Sequence, residues 1–198
     1  MLKRKELAKQ TIILSARQLL ANRGFGAVTL QEVLKCASIT KGKFFHYFES
    51  KEDFFMQVLR SALSEREYLR FSEVAQQSPE KSPFLTLLFL LDRIISWHSE
   101  GLPEVMRLCV FATIFFPEED LGPIRERFAS NTNYMRELIV RCQKEQELPD
   151  SLDPFILANL IPSCAIGSNT IQFFAGGRDL TPKSLIELKN LLIFSMHH

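Results

Sequence analysis

The chain has 198 residues, of which 46% are hydrophobic and 24% charged, and its net charge is +1. That apolar content is ample for a buried core, and the length suits one small unit followed by a larger one. No run reads as a secretory leader or as an apolar span of about 18 residues, and Cys36, Cys109, Cys142 and Cys164 lie far apart with no Cys-x-x-Cys pair, so reduced thiols in a cytoplasmic protein are expected.

The first predicted helix covers about residues 5–23. Its buried stripe is Ile12, Ile13, Ala16, Leu19 and Leu20, and Gly24 ends it because glycine tolerates the left-handed conformation of a helix stop. Phe25 is expected to plug the small core. Thr29 and Glu32 have the spacing of a capping box. Behind them Leu30, Val33, Leu34 and Ala37 recur at i, i+3, i+4 and i+7, one face of a helix. Ser38-Ile39 is short enough for a tight turn, and Thr40 suits the cap of the next helix. There Phe44 and Phe48, four apart, should face inward, leaving Lys41, Lys43 and His46 to point elsewhere. Ser50 and Asp53 repeat the cap spacing. Two short helices joined by a turn, behind a leading helix, make a helix-turn-helix unit. Lys41, Lys43, His46 and Tyr47 on its second short helix, with Lys51 close behind, suit contact with phosphates and base edges.

Charge supports the same partner. Residues 1–51 hold ten Lys/Arg and three Asp/Glu, a net of +7, while residues 52–198 hold fourteen and twenty, a net of −6. A basic head on an acidic body is the footprint of a chain that meets a polyanion through its head alone.

The run from Ala16 to Phe54 resembles the N-terminal domain of the tetracycline-repressor (TetR) family of bacterial transcription regulators. The matching pieces are Leu20…Gly24-Phe25, Thr29, and the run Ala37-Ser38-Ile39-Thr40-Lys41-Gly42-Lys43-Phe44-Phe45-His46-Tyr47-Phe48 followed by Ser50-Lys51-Glu52. The family usually has glycine where Ser38 stands, a small residue at Lys43, tyrosine at Phe45, and often Thr or Ser at Leu30. Phe45 and Leu30 therefore lack hydroxyls that relatives offer to phosphate, and Lys43 supplies a charge instead. The resemblance implies a DNA-facing set of Thr29, Gln31, Thr40, Lys41, Gly42, Lys43, Phe45, His46, Tyr47 and Lys51. It also implies division into a DNA-binding domain, residues 1–50, and an effector-binding and dimerisation domain, residues 51–198.

The body reads as six helices, which brings the all-α total to about nine. The first runs from Ser50 to about Ala75. Others cover about 84–99, from Pro103 to about Phe116, 124–147, from Asp153-Pro154 to Gly176-Gly177, and from Thr181-Pro182 onward. The last is apolar on most sides, and in the one before it Ser163 and Gly167 fall four apart, which lets a neighbouring helix approach. Ser163, Gly167, Leu188 and Leu192 are the expected interface of a homodimer, the assembly that two-fold operator DNA requires. Pro162 interrupts the same helix, shaping either a cavity wall or the bundle.

The family resemblance implies a small-molecule pocket. Trp97, Met106, Cys109, Phe111, Thr113, Tyr134, Asn169, Gln172 and Phe173 are its candidate lining, although such stripes are more often plain core. The seventeen phenylalanines suggest a hydrophobic or aromatic effector. Hydrolase, zinc-protease and phosphate-loop motifs are missing from the sequence. No catalytic residue, cofactor or metal is therefore expected, and His197-His198 are not read as ligands. The expected function is that of a repressor released from a palindromic operator by a small hydrophobic effector. The alternatives are an activator, a ligand-independent regulator, or a helical ligand-binding protein without DNA binding.

Overall fold

A computed structural model describes residues 2–64, 70–79, 81–99, 102–175 and 180–195; side chains are described from residue 5 onward, except at 98–99, 102–103, 123, 169–175 and 180–182. Among these residues every regular element is helical: α1 Leu2–Arg23, α2 Leu30–Cys36, α3 Lys41–Tyr47, α4 Lys51–Ser64, α5 Phe71–Ala75, α6 Pro83–Ser99, α7 Leu102–Phe115, a short 3-10 turn Glu118–Leu121, α8 Gly122–Lys144, α9 Pro154–Ala175 and α10 Leu180–Ser195. The single helix expected from Ser50 to Ala75 is instead α4 and a separate α5, which starts after an extended Arg70 (φ −96°, ψ 102°). Elsewhere the expected and observed helices agree to within a few residues.

The caps explain why the short helices start where they do. Thr29 Oγ1 accepts from the Glu32 N–H at 3.3 Å, and the Glu32 carboxylate accepts from the Thr29 N–H at 2.8 Å. Each thus satisfies a donor the helix end leaves orphaned. Thr40 Oγ1 accepts from the Lys43 N–H at 3.2 Å, and Ser50 Oγ from the Asp53 N–H at 3.0 Å. The C-terminus of α2 closes with a Schellman pair, Ile39 N–H to the Leu34 carbonyl and Ser38 N–H to the Lys35 carbonyl. That motif needs a left-handed residue, and here it is Ser38, at φ +54°.

By packing, the chain divides into two compact units: residues 1–66 with 104–124, and residues 67–103 with 125–198. α4 and α7 thus pack with the helix-turn-helix, whereas the division at residue 50 separates segments by expected role. In the first unit Ile12, Ala16, Leu20, Val33, Phe44, Phe55, Val58, Leu59, Leu108 and Ala112 are buried. Phe25 is half-buried and packs onto this core through aromatic contacts, with its ring centroid 5.2 Å from those of Phe55 and Phe116 and 5.8 Å from that of Phe115. α7 is fastened to α1 by polar contacts as well. Arg17 pairs with Glu104 at 2.9 Å, and Arg107 donates to the Ala21 carbonyl at 2.9 Å and to Asn22 Oδ1 at 3.3 Å. Gly24 adopts φ +77°, and a Cβ there would lie 2.8 Å from the Phe111 ring, so both backbone and space demand glycine.

The second unit buries Leu87, Leu90, Leu91 and Trp97 of α6, Met135, Leu138 and Cys142 of α8, Ala158 and Ile161 of α9, and Leu185 of α10. Glu147 ties down the start of α6 by accepting from the Ser82 hydroxyl and, at 2.9 Å, from the Phe84 N–H. Lys189 of α10 meets Asp92 of α6 at 2.6 Å. α9 runs through Pro162 without ending.

Two stability tests follow from the caps. The left-handed Ser38 carries a steric cost that glycine lacks, so Ser38→Gly should stabilise the protein by about 1 kcal/mol, raising Tm by a few degrees in a calorimetric scan. The Glu32 carboxyl is lowered from 4.5 to about 2, first by the Thr29 N–H, then by the Arg23 guanidinium and the Thr29 hydroxyl. A depressed folded-state value means its contribution is fully present above pH 4.5 and fades as the pH falls towards about 2. Acid unfolding of Glu32→Gln should therefore show a flatter stability profile than the parent within that window.

Candidate nucleic-acid interface

A helix of seven residues has little stability of its own, so α3 is positioned by what it buries. Phe44 and Phe48 are buried. Their rings lie 5.0 Å apart and reach the Phe54 ring of α4 at 5.3 and 4.8 Å. With that face turned inward, Lys41, Gly42, Lys43, Phe45 and His46 are exposed, and Thr29, Gln31 and Thr40 are exposed beside them. A Cβ at Gly42 would meet nothing within 4 Å, so another molecule has open approach to the backbone there. Lys41 Nζ stands 6.0 Å from the centre of the Phe45 ring, which leaves a half-exposed aromatic next to a cation. Tyr47 is half-buried, with its ring 5.0 Å from that of His46.

Three residues behave differently from their neighbours. The Lys51 ammonium donates to the Phe25 carbonyl at 3.0 Å and lies 4.3 Å from the Phe25 ring centre. It holds the loop after α1 while remaining at the margin of the basic surface. The hydroxyls of Thr29 and Thr40 are both engaged in capping. Sequence spacing reveals such local bonds but not the long-range lysine contact, since Phe25 and Lys51 are brought together only by tertiary packing.

The residues expected to line an effector pocket are spread over both units. Met106, Cys109, Phe111 and Thr113 belong to the first. Cys109 is buried, and burial pushes its thiol from 9.0 to about 12. The Phe111 ring approaches Gly24, and Thr113 is exposed, its hydroxyl donating to the Val110 carbonyl. Trp97 and Tyr134 belong to the second unit. Trp97 is fully buried and stacks on Phe71 at 6.4 Å. Tyr134 borders an open groove of about 800 Å³ whose other walls include Arg136, Val140, Arg141, Asp153 and Phe155. Asn169, Gln172 and Phe173 fall within α9, but their side chains lie outside the described residues.

The expected dimer residues split into two groups. Ser163 is exposed, and a Cβ at Gly167 would meet nothing within 4 Å. They continue a stripe with exposed Ile156 and Leu160 on one face of α9. Leu188 and Leu192 are buried inside the protomer with Leu185, so the outward apolar surface of α10 is Ile186, Leu191 and Phe194 instead. A helix apolar on most sides gives no periodic signal for which face turns inward.

Parts of the chain are similar to known proteins. The family described as bacterial regulatory proteins, tetR family, matches residues 12–58, the segment from α1 into α4. The HTH-type transcriptional repressor NemR of Escherichia coli K12 is 37% identical over 110 residues, 54% of this chain; the chain spans about half the length of that repressor, 47%. A solved TetR/AcrR family member aligns with 94% of this chain and 99% of its own at 25% identity and a TM-score of 0.71. The structure of AibR in complex with isovaleryl coenzyme A and operator DNA has the same fold, with a TM-score of 0.75 over 94% of this chain and 98% of its own at 16% identity. The matched segment coincides with the helices that present the exposed cations, and the likeness to a solved TetR/AcrR family member extends through nearly the whole chain: residues 12–58 match the tetR family of bacterial regulatory proteins, and the rest is similar to that family in fold.

Proposed function

We propose that the chain is a cytoplasmic, homodimeric transcriptional repressor that occupies a palindromic operator and leaves it when a small effector binds the body. The observation that carries the reading is α3. Its aromatic face is locked into the core, and Lys41, Lys43, Phe45 and His46 project from a segment of net charge +7. A short helix so anchored and so charged fits the major groove, with lysines at phosphates and Phe45 available for a thymine methyl or sugar. Residues 1–50 carry this role, and residues 51–198 carry effector binding and dimerisation. The NemR and AibR names, a repressor and an operator-bound protein with an acyl coenzyme A, support regulation by a small molecule.

Release from DNA is a population shift. An effector acts only to the extent that it prefers the conformation whose recognition helices no longer match successive major grooves, about 34–36 Å apart. α7 is well placed to pass on such a change, because Glu104 and Arg107 hold the last turns of α1. Dimerisation is assigned to the outward face of α9 and α10, where Ile156, Leu160, Leu191 and Phe194 are exposed together with Ser163, and a Cβ at half-buried Gly167 would meet open space. An apolar surface of this kind is normally covered by a partner.

Selection of bound duplexes from a random pool should yield a two-fold symmetric sequence with half-sites about one helical turn apart. A pool that emerges unenriched removes DNA binding from the proposal. On the selected operator, changing both Lys41 and Lys43 to alanine should reduce the slope of log K against log salt by about one unit per lost phosphate contact in each subunit. Lys51→Ala should chiefly lower stability, through the loss of its hold on Phe25.

Gly167→Arg places a bulky cation where a Cβ meets open space, so the protomer should keep its fold. Across a dimer interface the same cation would be unpaired and desolvated. Sedimentation should therefore find helical monomers with weakened operator affinity. A normal dimer would move the interface elsewhere.

A further inference from the structure

The second unit holds an arginine whose surroundings call for an anion. Arg127 Nη1, on α8, is buried and has no hydrogen-bond partner among the described residues. Its charged neighbours are Arg70 and Glu73 of α5, which pair with each other at 3.2 Å on the exposed side. Burial first, and the Arg70 charge second, weigh against the Arg127 cation, while Glu73 favours it. Among the described residues two guanidinium groups thus share one carboxylate, and one of their nitrogens is buried. A guanidinium keeps its proton in such a place and satisfies the charge with a carboxylate-like partner. One turn along α8, Asn131 Oδ1 accepts from the Phe71 N–H at 3.1 Å and so fixes the start of α5 next to Arg127. The Phe71 ring is backed by the fully buried Trp97, stacked at 6.4 Å and 23°. Arg93 lies over the Trp97 ring at 5.9 Å. A cation with unused donors thus adjoins an aromatic surface.

We propose that Arg127, assisted by Arg70, is the anion-recognising end of the effector site, and that the effector is an amphipathic monocarboxylate whose apolar part rests on Phe71. This deepens the effector reading and rests on it for its regulatory meaning. The binding claim itself needs no DNA. Two guanidinium groups around one carboxylate suit a single further negative charge, and a bidentate fork suits a carboxylate more than a neutral amide.

Trp97 is the only tryptophan in the chain, so its fluorescence reports on this place. The full-length protein is titrated with phenylacetate and hexanoate, and with phenylacetamide and hexanamide as neutral counterparts. At least one acid should give a saturable change in Trp97 emission, with affinity about tenfold or more above that of its amide. Arg127→Gln should bring the acid down to the level of the amide. The same variant should melt no lower than the parent without ligand, because a buried unpaired charge has been removed. Equal affinity for acid and amide, unchanged acid binding in Arg127→Gln, or no saturable response to any of the probes would overturn the inference. Operator binding is measured separately with the same acids. An acid that binds through Arg127 but leaves operator affinity unchanged would keep the anion site and refute its effector role. Operator release that does not discriminate acid from amide would refute the anion site and keep the regulatory reading.

Discussion

The aromatic contact between α3 and α4 governs what the N-terminal segment offers to other molecules. Phe44 and Phe48 sit against Phe54 with ring separations near 5 Å. α3 is too short to hold itself in a helix, and its caps alone do not fix its rotation about its own axis. The three rings do both. Once that face is turned inward, geometry decides that Lys43 and His46 stand outward, because residues one and two positions away from a buried pair four apart fall on other faces, while Lys41 is exposed at the first residue of the helix. Loss of ring volume at Phe44 would therefore act on recognition indirectly, by freeing the rotation of a helix whose exposed residues are unchanged.

Around this contact the first unit is closed by a second aromatic group, built on Phe25. Its position depends on a left-handed Gly24, on the Lys51 ammonium at its carbonyl, and on rings supplied by α4 and by the end of α7. A segment about ninety residues further along the chain thereby becomes part of the same core. The Arg17–Glu104 pair and the Arg107 hydrogen bonds specify how α7 lies on α1 in a way that apolar packing alone does not. Ion pairs with little access to water contribute orientation more dependably than net stability.

The sequence made some of this legible and hid the rest for identifiable reasons. Caps and local periodicity are encoded over three or four residues, so Thr29 with Glu32, Thr40, and the inward pair Phe44 and Phe48 could be read directly. Phe25 as a packing residue was legible because a large aromatic residue directly follows a helix-stopping glycine. The incorporation of α7 into the N-terminal unit depends on contacts far apart in sequence and leaves no local trace. Leu188 and Leu192, expected at the dimer interface, are buried within the single chain, because a helix apolar on several sides has no preferred direction until its neighbours are known. The break between α4 and α5 was hidden by continuous helix-favouring composition. Arg127 gave no signal at all, since an arginine in an amphipathic helix is ordinary until its nitrogen is found buried.

The burial of two thiols has a practical consequence for chemistry performed on this protein. Cys109 and Cys142 are both pushed up to about 12, each chiefly by desolvation. Near neutral pH they are almost wholly protonated, and the thiolate is the species that alkylating and oxidising reagents consume. Cys164 is partly covered, while Cys36 is exposed at the last residue of α2. A maleimide dye would thus be directed to Cys36 in preference to the two core thiols. The chain in this way carries an attachment point close in sequence to α3, and a fluorophore placed there would test the proposed arrival of a duplex without any engineered residue.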